Sequence, residues 1–460
     1  MILGMERTKI LDTAKKVGQI VTIYGWVQTR RDHGKLIFVD LRDISGLVQV
    51  VFGPEAKELG NEFVLEVEGE VKKRPENLIN KKIETGEIEV KAKGFKILGK
   101  SKTLPFPIDT DGHEIEEEVR LKYRYLDLRR ARLAKMIKLR SDLVGYTREF
   151  LLSEGFLEIE TPILTKSTPE GSRDFIVPSR LQKGEFYALP QSPQQYKQLL
   201  MIAGFEKYFQ IARCLRDEDL RSDRTFEHTQ IDLEMSFVKR EDVMKLTESM
   251  AIYVFEKLGA KILKKPFPVF AYSEAMKKFG ADKFDLRSEK EKKENVLAFA
   301  WVVDFPFFEK TPEGKWTYTH NPFSAPVPAD EKKLMERKVE GVLTSQYDLV
   351  CNGAEIGGGS IRSHNPKILE KVFEVLGYKK EEIGEKFGHM LEAFDYGAPP
   401  HGGIACGIER WLMTLTGEKD IRETQAFPMT SRGRTSVMDA PSEVDEIQLR
   451  ELGIQIKKSK

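Results

Sequence analysis

The chain has 460 residues, in which 74 Lys and Arg balance 73 Asp and Glu to leave a formal charge of +1. This length allows two or three domains that each bury a core, and the charge excludes a global basic field, so any RNA must bind at local patches. Three scattered cysteines without a CxxC pair argue against a zinc site or disulfides, and no segment has membrane-spanning length, so we expect a soluble cytoplasmic protein.

Residues 1–100 contain short alternating segments, separated by turn residues, that predict β-strands. The predicted strands span 21–30, 35–43, 46–52, 62–74 and 87–98. A domain of this size with this many strands fits an OB-like barrel. We therefore predict an N-terminal OB-fold domain.

Residues 101–125 carry prolines followed by an acidic run, and they are predicted to form a linker or hinge. An apolar-periodic segment then predicts a helix over 131–154, with Gly155 as its stop. The later strands and helices mix without regular βαβ alternation. We therefore predict an α+β fold with an antiparallel sheet for residues 126–460, rather than a doubly wound sheet.

The stretch 209–237 is the most informative part of the chain, since it predicts two strands joined by a loop rich in Arg, Asp and Glu. At a period of two, one face of the second strand is apolar and comprises Ile231, Leu233 and Met235. The other face is polar and comprises Gln230, Asp232 and Glu234. On the first strand Gln210 shares its parity with Arg216. A cation above carboxylates and an amide suits a ligand that carries both an ammonium group and phosphates.

Two other segments suggest related chemistry, although each is weak alone. Residues 402–415 predict a glycine-rich turn before a helix with Arg410 in its first turn, where helix N–H groups and a guanidinium can meet an anion. Residues 154–164 predict an alternating strand that ends at Pro162. In chain order, 154–164, the hairpin and 402–415 resemble motifs 1, 2 and 3 of class II aminoacyl-tRNA synthetases.

The resemblance sharpens to aspartyl-tRNA synthetase of the bacterial type, and it covers nearly the whole chain. Its most specific stretches are 121–130, 168–180, 188–219 and 347–362. It implies that ATP and Mg²⁺ are used to activate L-aspartate, which is then transferred to tRNA-Asp, with tRNA-Asn left open. It also implies a homodimer formed through the strand that ends at Pro162, with neither a membrane nor DNA as a partner.

The hairpin turn at 352–353, Asn-Gly, predicts a type I′ geometry that places Asp348 and Glu355 on one face. Two carboxylates on one face suit Mg²⁺ carrying ATP phosphates. The resemblance gives both acids the same role. Strand parity turns Arg362 to the opposite face unless a bulge within 357–359 resets it.

The resemblance also assigns the site residues, with Arg216 bridging the substrate carboxylate and the α-phosphate and Arg410 on the γ-phosphate side as the catalytic pair. The aspartate site comprises Glu170, Ser192, Gln194, Lys197, Arg216, Asp232, His320 and Arg362. The ATP site comprises Arg216, Asp217, Glu218, Arg224, Thr225, His228, Glu355, Gly407, Ile408, Glu409 and Arg410.

Charge suggests how the substrate is chosen. A guanidinium fork from Arg362 and the point charge of Lys197 would pair an aspartate side chain strongly. Asparagine is nearly isosteric but neutral, so it would leave these buried cations underpaired. By resemblance, Glu170 and Arg173 belong to a loop that closes over the substrate.

Three departures from the family pattern stand out. The inserted domain usual in bacterial relatives is largely missing, and residues 280–297 hold only a short charged bridge. His228 stands where relatives have a Phe stacking on adenine, which predicts lower or pH-sensitive ATP affinity. His320 is followed by Asn321 in place of a second histidine.

The barrel is predicted to read the tRNA anticodon, because OB surfaces stack bases on aromatic rings and bind their exposed edges. By resemblance, Phe38 stacks on a base and Gln49 reads one. The candidate anticodon residues are Arg30, His33, Phe38, Gln49 and Arg74.

Two alternatives remain. A related enzyme could activate asparagine or lysine, although Lys197 and Arg362 favour an acidic side chain. A non-catalytic RNA-binding paralogue is the other. It would have lost one or more of Arg216, Asp348, Glu355 and Arg410, which are all present.

Overall fold

A computed structural model describes residues 6–167 and 171–457. The chain divides into two compact units, Met1–Pro107 and Ile108–Lys460. Within the described ranges, every helix is too short or too polar to cross a bilayer.

The first unit is a closed barrel with strand order β1-β2-β3-β5-β4. Its strands are β1 Ile20–Asp32, β2 Ile37–Arg42, β3 Leu47–Phe52, β4 Val64–Lys73 and β5 Ile88–Gly99. Short 3-10 turns lie at Leu11–Lys15, Pro54–Glu58 and Glu76–Leu78. Side chains alternate between the interior and the outer face of the barrel. Along β2, Ile37, Val39 and Leu41 face inward and are fully buried, while Phe38 and Asp40 lie on the outer face. The predicted OB-like barrel is confirmed.

The second unit contains the remaining elements. Its helices are α1 Glu117–Lys122, α2 Arg124–Asp127, α3 Ala131–Ser153, α4 Gln194–Ile202, α5 Arg240–Lys257, α6 Tyr272–Phe279, α7 Glu289–Lys293, α8 Glu331–Met335, α9 Pro366–Val375, α10 Lys380–Asp395, α11 Ile408–Thr416 and α12 Glu446–Leu452. Its strands are β6 Leu157–Glu158, β7 Ile176–Pro178, β8 Phe186–Ala188, β9 Lys207–Leu215, β10 Glu227–Ser236, β11 Val269–Ala271, β12 Phe299–Val303, β13 Phe308–Lys310, β14 Trp316–Tyr318, β15 Gln346–Cys351, β16 Ala354–Ile361 and β17 His401–Gly407. Further 3-10 turns lie at Pro328–Asp330 and Ile421–Thr424.

An eight-stranded sheet of order β11-β12-β15-β16-β17-β10-β9-β6 forms the framework of this unit. Its central neighbours pair antiparallel, and only the outermost pairs, β11–β12 and β6–β9, are parallel. The predicted antiparallel α+β fold is therefore confirmed.

The apolar face of the sheet packs against α3, α5 and α11, and β10 shows why. Ile231, Leu233 and Met235 lie in this core, as the period-two pattern predicts. Gln230, Asp232 and Glu234 are also buried, on the opposite face. Buried polar groups need hydrogen-bond partners, because burying them without partners costs free energy. The polar face of β10 is thus the buried floor of a site.

Three local predictions need correction. The predicted strand 154–164 is reduced to β6, of two residues. The second half of the predicted linker folds into α1 and α2. The predicted glycine-rich turn before Arg410 is strand β17, in which a Cβ on Gly403 would overlap the Leu233 carbonyl of β10. The glycines there permit close strand approach instead of a turn.

A buried arginine cluster fixes the segment that precedes α3. Asp127 is fully buried and accepts hydrogen bonds from Arg120 Nη1 at 3.3 Å, Arg124 Nη1 at 2.8 Å and Arg130 Nε at 2.7 Å. Arg120 also donates to Glu423 at 2.6 Å. This cluster ties the segment to residues that follow α11.

Asp127→Asn should destabilise the second unit by about 3 kcal/mol or more, because it removes the charge that compensates buried guanidinium groups. Thermal unfolding followed by circular dichroism would measure the loss. Asp142→Asn is the control, because Asp142 pairs only with the exposed Lys138, and such pairs contribute about 0–1 kcal/mol. Equal shifts in the two variants would contradict this account of Asp127.

Candidate functional site

The centre of the site is a buried set of charges on the polar face of β10. Lys197, from α4, places its Nζ 3.0 Å from Asp232 Oδ2 and 3.2 Å from Glu234 Oε2. Arg362 donates to both carboxylate oxygens of Glu234, at 2.9 and 3.1 Å, and through Nη1 to Ser360 Oγ at 2.9 Å. All four charged side chains are almost fully buried. Two cations therefore face two acids in one low-dielectric pocket.

The Glu234–Arg362 pair spans three strands, because Glu234 on β10 is level with Gly403 on β17, and Gly403 with Ser360 on β16. A Cβ on Gly403 would collide with the Glu234 carboxylate. The carboxylate can reach across β17 to Arg362 only because residue 403 is a glycine.

The two acids of this pocket differ in their electrostatics. Burial raises the pKa of Asp232, although Lys197 opposes it. Burial also acts to raise the pKa of Glu234, but Arg362 and Lys197 outweigh it and hold that pKa at about 2. Glu234 is therefore the permanent counter-ion of both cations.

Polar atoms without a partner mark where a ligand could bind in this pocket. Asp232 Oδ1 and Gln194 Nε2 are buried and make no hydrogen bond with any residue that the structure describes. Ser192, next to the start of α4, accepts from the Gln194 N–H at 3.3 Å. The pairing of Arg362 and Lys197 with a substrate carboxylate stays a prediction, and because Glu234 occupies Nε and Nη2 of Arg362, the substrate would meet this guanidinium at Nη1.

The hairpin β15–β16 contains the predicted type I′ turn and a β-bulge that changes which face Arg362 takes. Asn352 and Gly353 have φ of +53° and +87°, as a type I′ turn requires. Leu349 pairs with Gly357 but Val350 with Glu355, so Ile356 is an extra residue that forms a bulge. The bulge lies just before 357–359, and it returns Arg362 to the site face.

The acid pair Asp348 and Glu355 converges over Gly358. A Cβ at residue 358 would lie 3.2 Å from Asp348 Oδ1 and 3.4 Å from Glu355 Oε1. Burial, and then the charge of Glu355, raise the pKa of Asp348. Burial acts to raise the pKa of Glu355 too, but Lys283 and Arg410 outweigh it and the pKa is lowered.

These two acids fit Mg²⁺. Asp348 Oδ2 is buried and has no hydrogen-bond partner among residues 6–167 and 171–457. No cluster of three or more His, Cys, Asp or Glu side chains suited to a metal occurs in that part of the chain. Mg²⁺ commonly takes one or two carboxylates and completes its shell with phosphates and water. The glycine at 358 leaves the space that such an ion needs.

His320 lies at the acid pair, with Nε2 3.4 Å from Asp348 Oδ2. Burial opposes its charge, but Asp348 outweighs burial and the pKa of His320 is raised. His320 thus contacts Asp348 in this structure, and its contact with substrate aspartate stays a prediction.

Arg216 and Arg410 both lie close enough to His228 to act on its charge. Arg216 donates from Nε to the Gln191 carbonyl at 3.4 Å, and Arg410 from Nη1 to the Glu355 carbonyl at 3.0 Å. Burial, then the charges of Arg216 and Arg410, lower the pKa of His228 to about 3. The imidazole is therefore neutral at physiological pH, and the predicted pH sensitivity of ATP binding does not arise from it. A neutral ring can stack on adenine.

Hydrogen bonds and ion pairs, some of them to residues 172–173, hold the loop between β9 and β10. Arg224 Nη1 donates to Glu218 at 2.9 Å, and Ser172 Oγ donates to the same carboxylate at 2.9 Å. Arg173 pairs with Asp217, Nε to Oδ2, at 3.4 Å. The hydroxyl of Thr225 donates to the Glu227 carbonyl at 2.6 Å. Glu170, predicted to close over the substrate, lies outside the described residues.

The segment Gly407 to Glu409 was predicted to contact ATP, and its side chains do not face the site. Ile408 is fully buried in the core. Both carboxylate oxygens of Glu409 accept the Thr229 N–H, at 3.1 and 3.2 Å, and one lies 2.9 Å from Arg140 Nη2. These side chains brace α11 beneath Arg410, and only backbone atoms there could meet a nucleotide.

In the barrel, the predicted anticodon residues separate into two groups. Phe38 is half-buried on the outer face, with the His33 ring 5.2 Å away edge-on. Gln49, on the same face, accepts from Arg31 at 3.2 Å and donates to Glu89 at 3.0 Å.

The two remaining barrel arginines are engaged by the barrel itself. Arg30 pairs with Asp32 at 3.1 Å. Arg74 is buried and donates from Nε to the Ile88 carbonyl at 2.9 Å. Arg74, a candidate anticodon residue, therefore has its guanidinium buried and bonded within the barrel, which disfavours a contact with the anticodon.

Sequence reasoning missed two contributors. Lys283 places Nζ 2.8 Å from Glu355 Oε2, although it lies just before the short charged bridge, in the region near 280–297 where the insert is missing. Gln191 accepts from Arg216 and donates to the Ser172 carbonyl at 2.8 Å. A lone lysine in a charged segment gives no signal of its own. Gln191 lies in a stretch that the resemblance covers, next to Ser192.

Comparisons with known proteins agree with this geometry. Residues 116–431 match the family described as tRNA synthetases class II (D, K and N), and residues 21–98 match the OB-fold nucleic acid binding domain. The chain is 42% identical over 572 residues to an aspartate–tRNA(Asp/Asn) ligase of Methylacidiphilum infernorum, which covers 96% of this chain and 95% of the relative. It is 40% identical over 578 residues to the ligase of the same name from Bacillus subtilis, covering 97% and 98%. Both matches are longer than the 460 residues of this chain, so both relatives carry additional residues.

Among solved structures, an aspartyl-tRNA synthetase from Entamoeba histolytica has a TM-score of 0.75 at 21% identity, covering 93% of this chain and 92% of its own. At this identity the likeness concerns the fold alone.

Gly358→Ala should weaken binding of a divalent cation together with ATP by about tenfold, equivalent to 1.4 kcal/mol, because the methyl group enters the gap between the two carboxylates. Calorimetric titration of Mg²⁺ into protein with a non-hydrolysable ATP analogue would measure it. Gly388→Ala is the control, since a Cβ there meets nothing within 4 Å. Unchanged Mg²⁺ affinity in Gly358→Ala would contradict the assignment of the acid pair.

Proposed function

The chain belongs to the class II tRNA synthetases, and from this premise we propose that it is an aspartate–tRNA ligase. It activates L-aspartate with ATP to give aspartyl-adenylate and pyrophosphate, and then transfers aspartate to the 3′ end of tRNA. Residues 126–460 perform this chemistry, and residues 1–100 bind the anticodon.

The buried charge set on β10 carries the proposal. The ammonium group of aspartate can donate a hydrogen bond to the unpartnered Asp232 Oδ1. Its side-chain carboxylate can pair with Lys197 and with Nη1 of Arg362. Glu234 holds Arg362 by a two-point hydrogen bond and so fixes the direction of its fork. Lysine would bring a third cation into this pocket, and asparagine would leave a buried cation underpaired.

Adenylate formation requires positioning and charge neutralisation more than a covalent nucleophile. An oxygen of the aspartate α-carboxylate attacks the α-phosphorus, and the bond from that phosphorus to the bridging oxygen breaks as pyrophosphate leaves. Arg216 neutralises the α-phosphate and the incoming carboxylate, and Arg410 the far phosphates. Mg²⁺ held by Asp348 and Glu355 supplies further positive charge to the phosphates. His228, which burial and the two arginines keep neutral, stacks on adenine.

Transfer follows at the same site. A hydroxyl of the terminal ribose of tRNA attacks the carbonyl carbon of the mixed anhydride, and AMP leaves with the bonding electrons. We assign tRNA-Asp as the acceptor, and the relatives named for both tRNA-Asp and tRNA-Asn make tRNA-Asn the second candidate.

The assembly and location that go with this function are a homodimer in the cytoplasm. The stretch around β6 exposes Leu157, Ile163 and Leu164, at 51, 46 and 51%. A second copy of the chain would cover this apolar patch, which is unusual on a monomer surface.

Aspartate-dependent exchange of pyrophosphate into ATP tests the proposal. We expect exchange with aspartate at least about a hundredfold above that with asparagine, because a polar pocket rejects a neutral analogue strongly. Arg216→Ala should lower the rate by about 10²–10³, whereas Arg337→Ala, which removes an exposed arginine paired with Glu374, should not. Charging of purified tRNA-Asp and tRNA-Asn then decides the acceptor. Equal exchange with both amino acids would remove the assignment to aspartate.

Phe38→Ala should reduce the efficiency of tRNA charging by about tenfold, since a base–aromatic stack contributes roughly 1–3 kcal/mol, and it should leave pyrophosphate exchange unchanged. Steady-state charging and exchange assays on the same preparation measure both. Leu36→Ala, which removes an exposed side chain near Phe38, is the control. Parallel loss of both activities in Phe38→Ala would speak against an anticodon role.

A further inference from the structure

Lys283 is placed at the acid pair by packing and not by chance. Its neighbour Phe284 is buried and stacks on Phe279 with ring centroids 4.1 Å apart. The Phe284 carbonyl accepts the Gly353 N–H at 3.0 Å. The backbone that carries Lys283 is therefore fixed to the turn of the β15–β16 hairpin, which also carries Glu355.

The ammonium group of Lys283 occupies one of the two acids proposed to hold the metal. Nζ lies 2.8 Å from Glu355 Oε2, while the side chain remains 44% exposed. The ammonium group is therefore paired with the Glu355 carboxylate, and the long, partly exposed stem of the lysine can change rotamer without disturbing the core.

Charge compensation at the acid pair is supplied by side chains of the protein. Lys283 pairs with Glu355, and His320 lies 3.4 Å from Asp348. An ammonium group at hydrogen-bond distance from Glu355 competes with a metal ion for the same carboxylate, because both require its lone pairs. A divalent cation that takes both carboxylate oxygens of Glu355 therefore requires Lys283 to move.

If Lys283 leaves Glu355, its ammonium group remains close to Arg410, which is proposed to neutralise the ATP phosphates. Arg410 donates to the Glu355 carbonyl at 3.0 Å, so its guanidinium lies beside the same residue. Two cations brought together without Glu355 between them repel each other unless an anion separates them. The phosphates of ATP are that anion in the proposed reaction.

We propose that Lys283 neutralises Glu355 in the nucleotide-free protein and transfers to the ATP phosphate chain when the metal and nucleotide bind, as a further phosphate-binding residue of adenylate formation. This inference rests on the proposed function for the identity of the ligand. It gives the short segment after α6 a direct part in nucleotide binding.

Two measurements on Lys283→Met test this exchange. First, binding of Mn²⁺ to the nucleotide-free protein, followed by electron paramagnetic resonance, should become severalfold tighter, because the competing ammonium group is gone. Second, the dissociation constant for ATP in the presence of Mg²⁺ should rise at least fivefold, because a phosphate contact is lost. A residue that only stabilised the fold would not move these two affinities in opposite directions.

The controls isolate the position of the charge. Lys277→Met removes an exposed lysine of α6 and should leave both affinities unchanged, and Lys283→Arg should restore most of the ATP affinity. Unchanged Mn²⁺ affinity or an unchanged ATP dissociation constant in Lys283→Met would overturn the inference. Neither binding measurement requires aspartate or tRNA, so absent aspartate-dependent exchange by the unaltered protein would reject the proposed function separately.

Discussion

The two-point hydrogen bond between Glu234 and Arg362 determines how the rest of the site is arranged. It crosses strand β17 above Gly403, so three strands must be in register for it to form. Glu234 also holds Lys197 and sets the charge balance in which Asp232 keeps an unpartnered oxygen. Specificity for an acidic substrate thus depends on a protein carboxylate that fixes the direction of the cation fork.

Local periodicity was sufficient to predict much of this arrangement. The alternation along β10 separated the core residues from the site residues, and the Asn-Gly turn fixed the pairing of Val350 with Glu355. Parity also showed that Arg362 needs a bulge, although the glycines at 357–359 drew the prediction past Ile356, where it lies. Short-range geometry determines which face a side chain takes, and this information is present in the sequence.

Predictions that depended on tertiary packing were less successful. Glu409 was predicted to contact ATP and Arg74 the anticodon, but each bonds a backbone group of the protein instead, the Thr229 N–H and the Ile88 carbonyl. The contact of Lys283 with Glu355 was not predicted at all, because nothing in a charged segment indicates which lysine reaches an acid 72 positions later. Spacing along the chain does not encode these long-range partners, and only the folded structure identifies them.

The cluster around Asp127 has a consequence for the order in which the chain can mature during synthesis. Arg120 meets Glu423, 303 residues further on, and Arg124 donates to the Gln425 carbonyl at 2.8 Å. While the chain emerges from the ribosome, the barrel has all of its strands at hand after the first hundred residues. The second unit cannot form this cluster until more than nine-tenths of the polypeptide has been made, so until then Arg120 and Arg124 lack these partners.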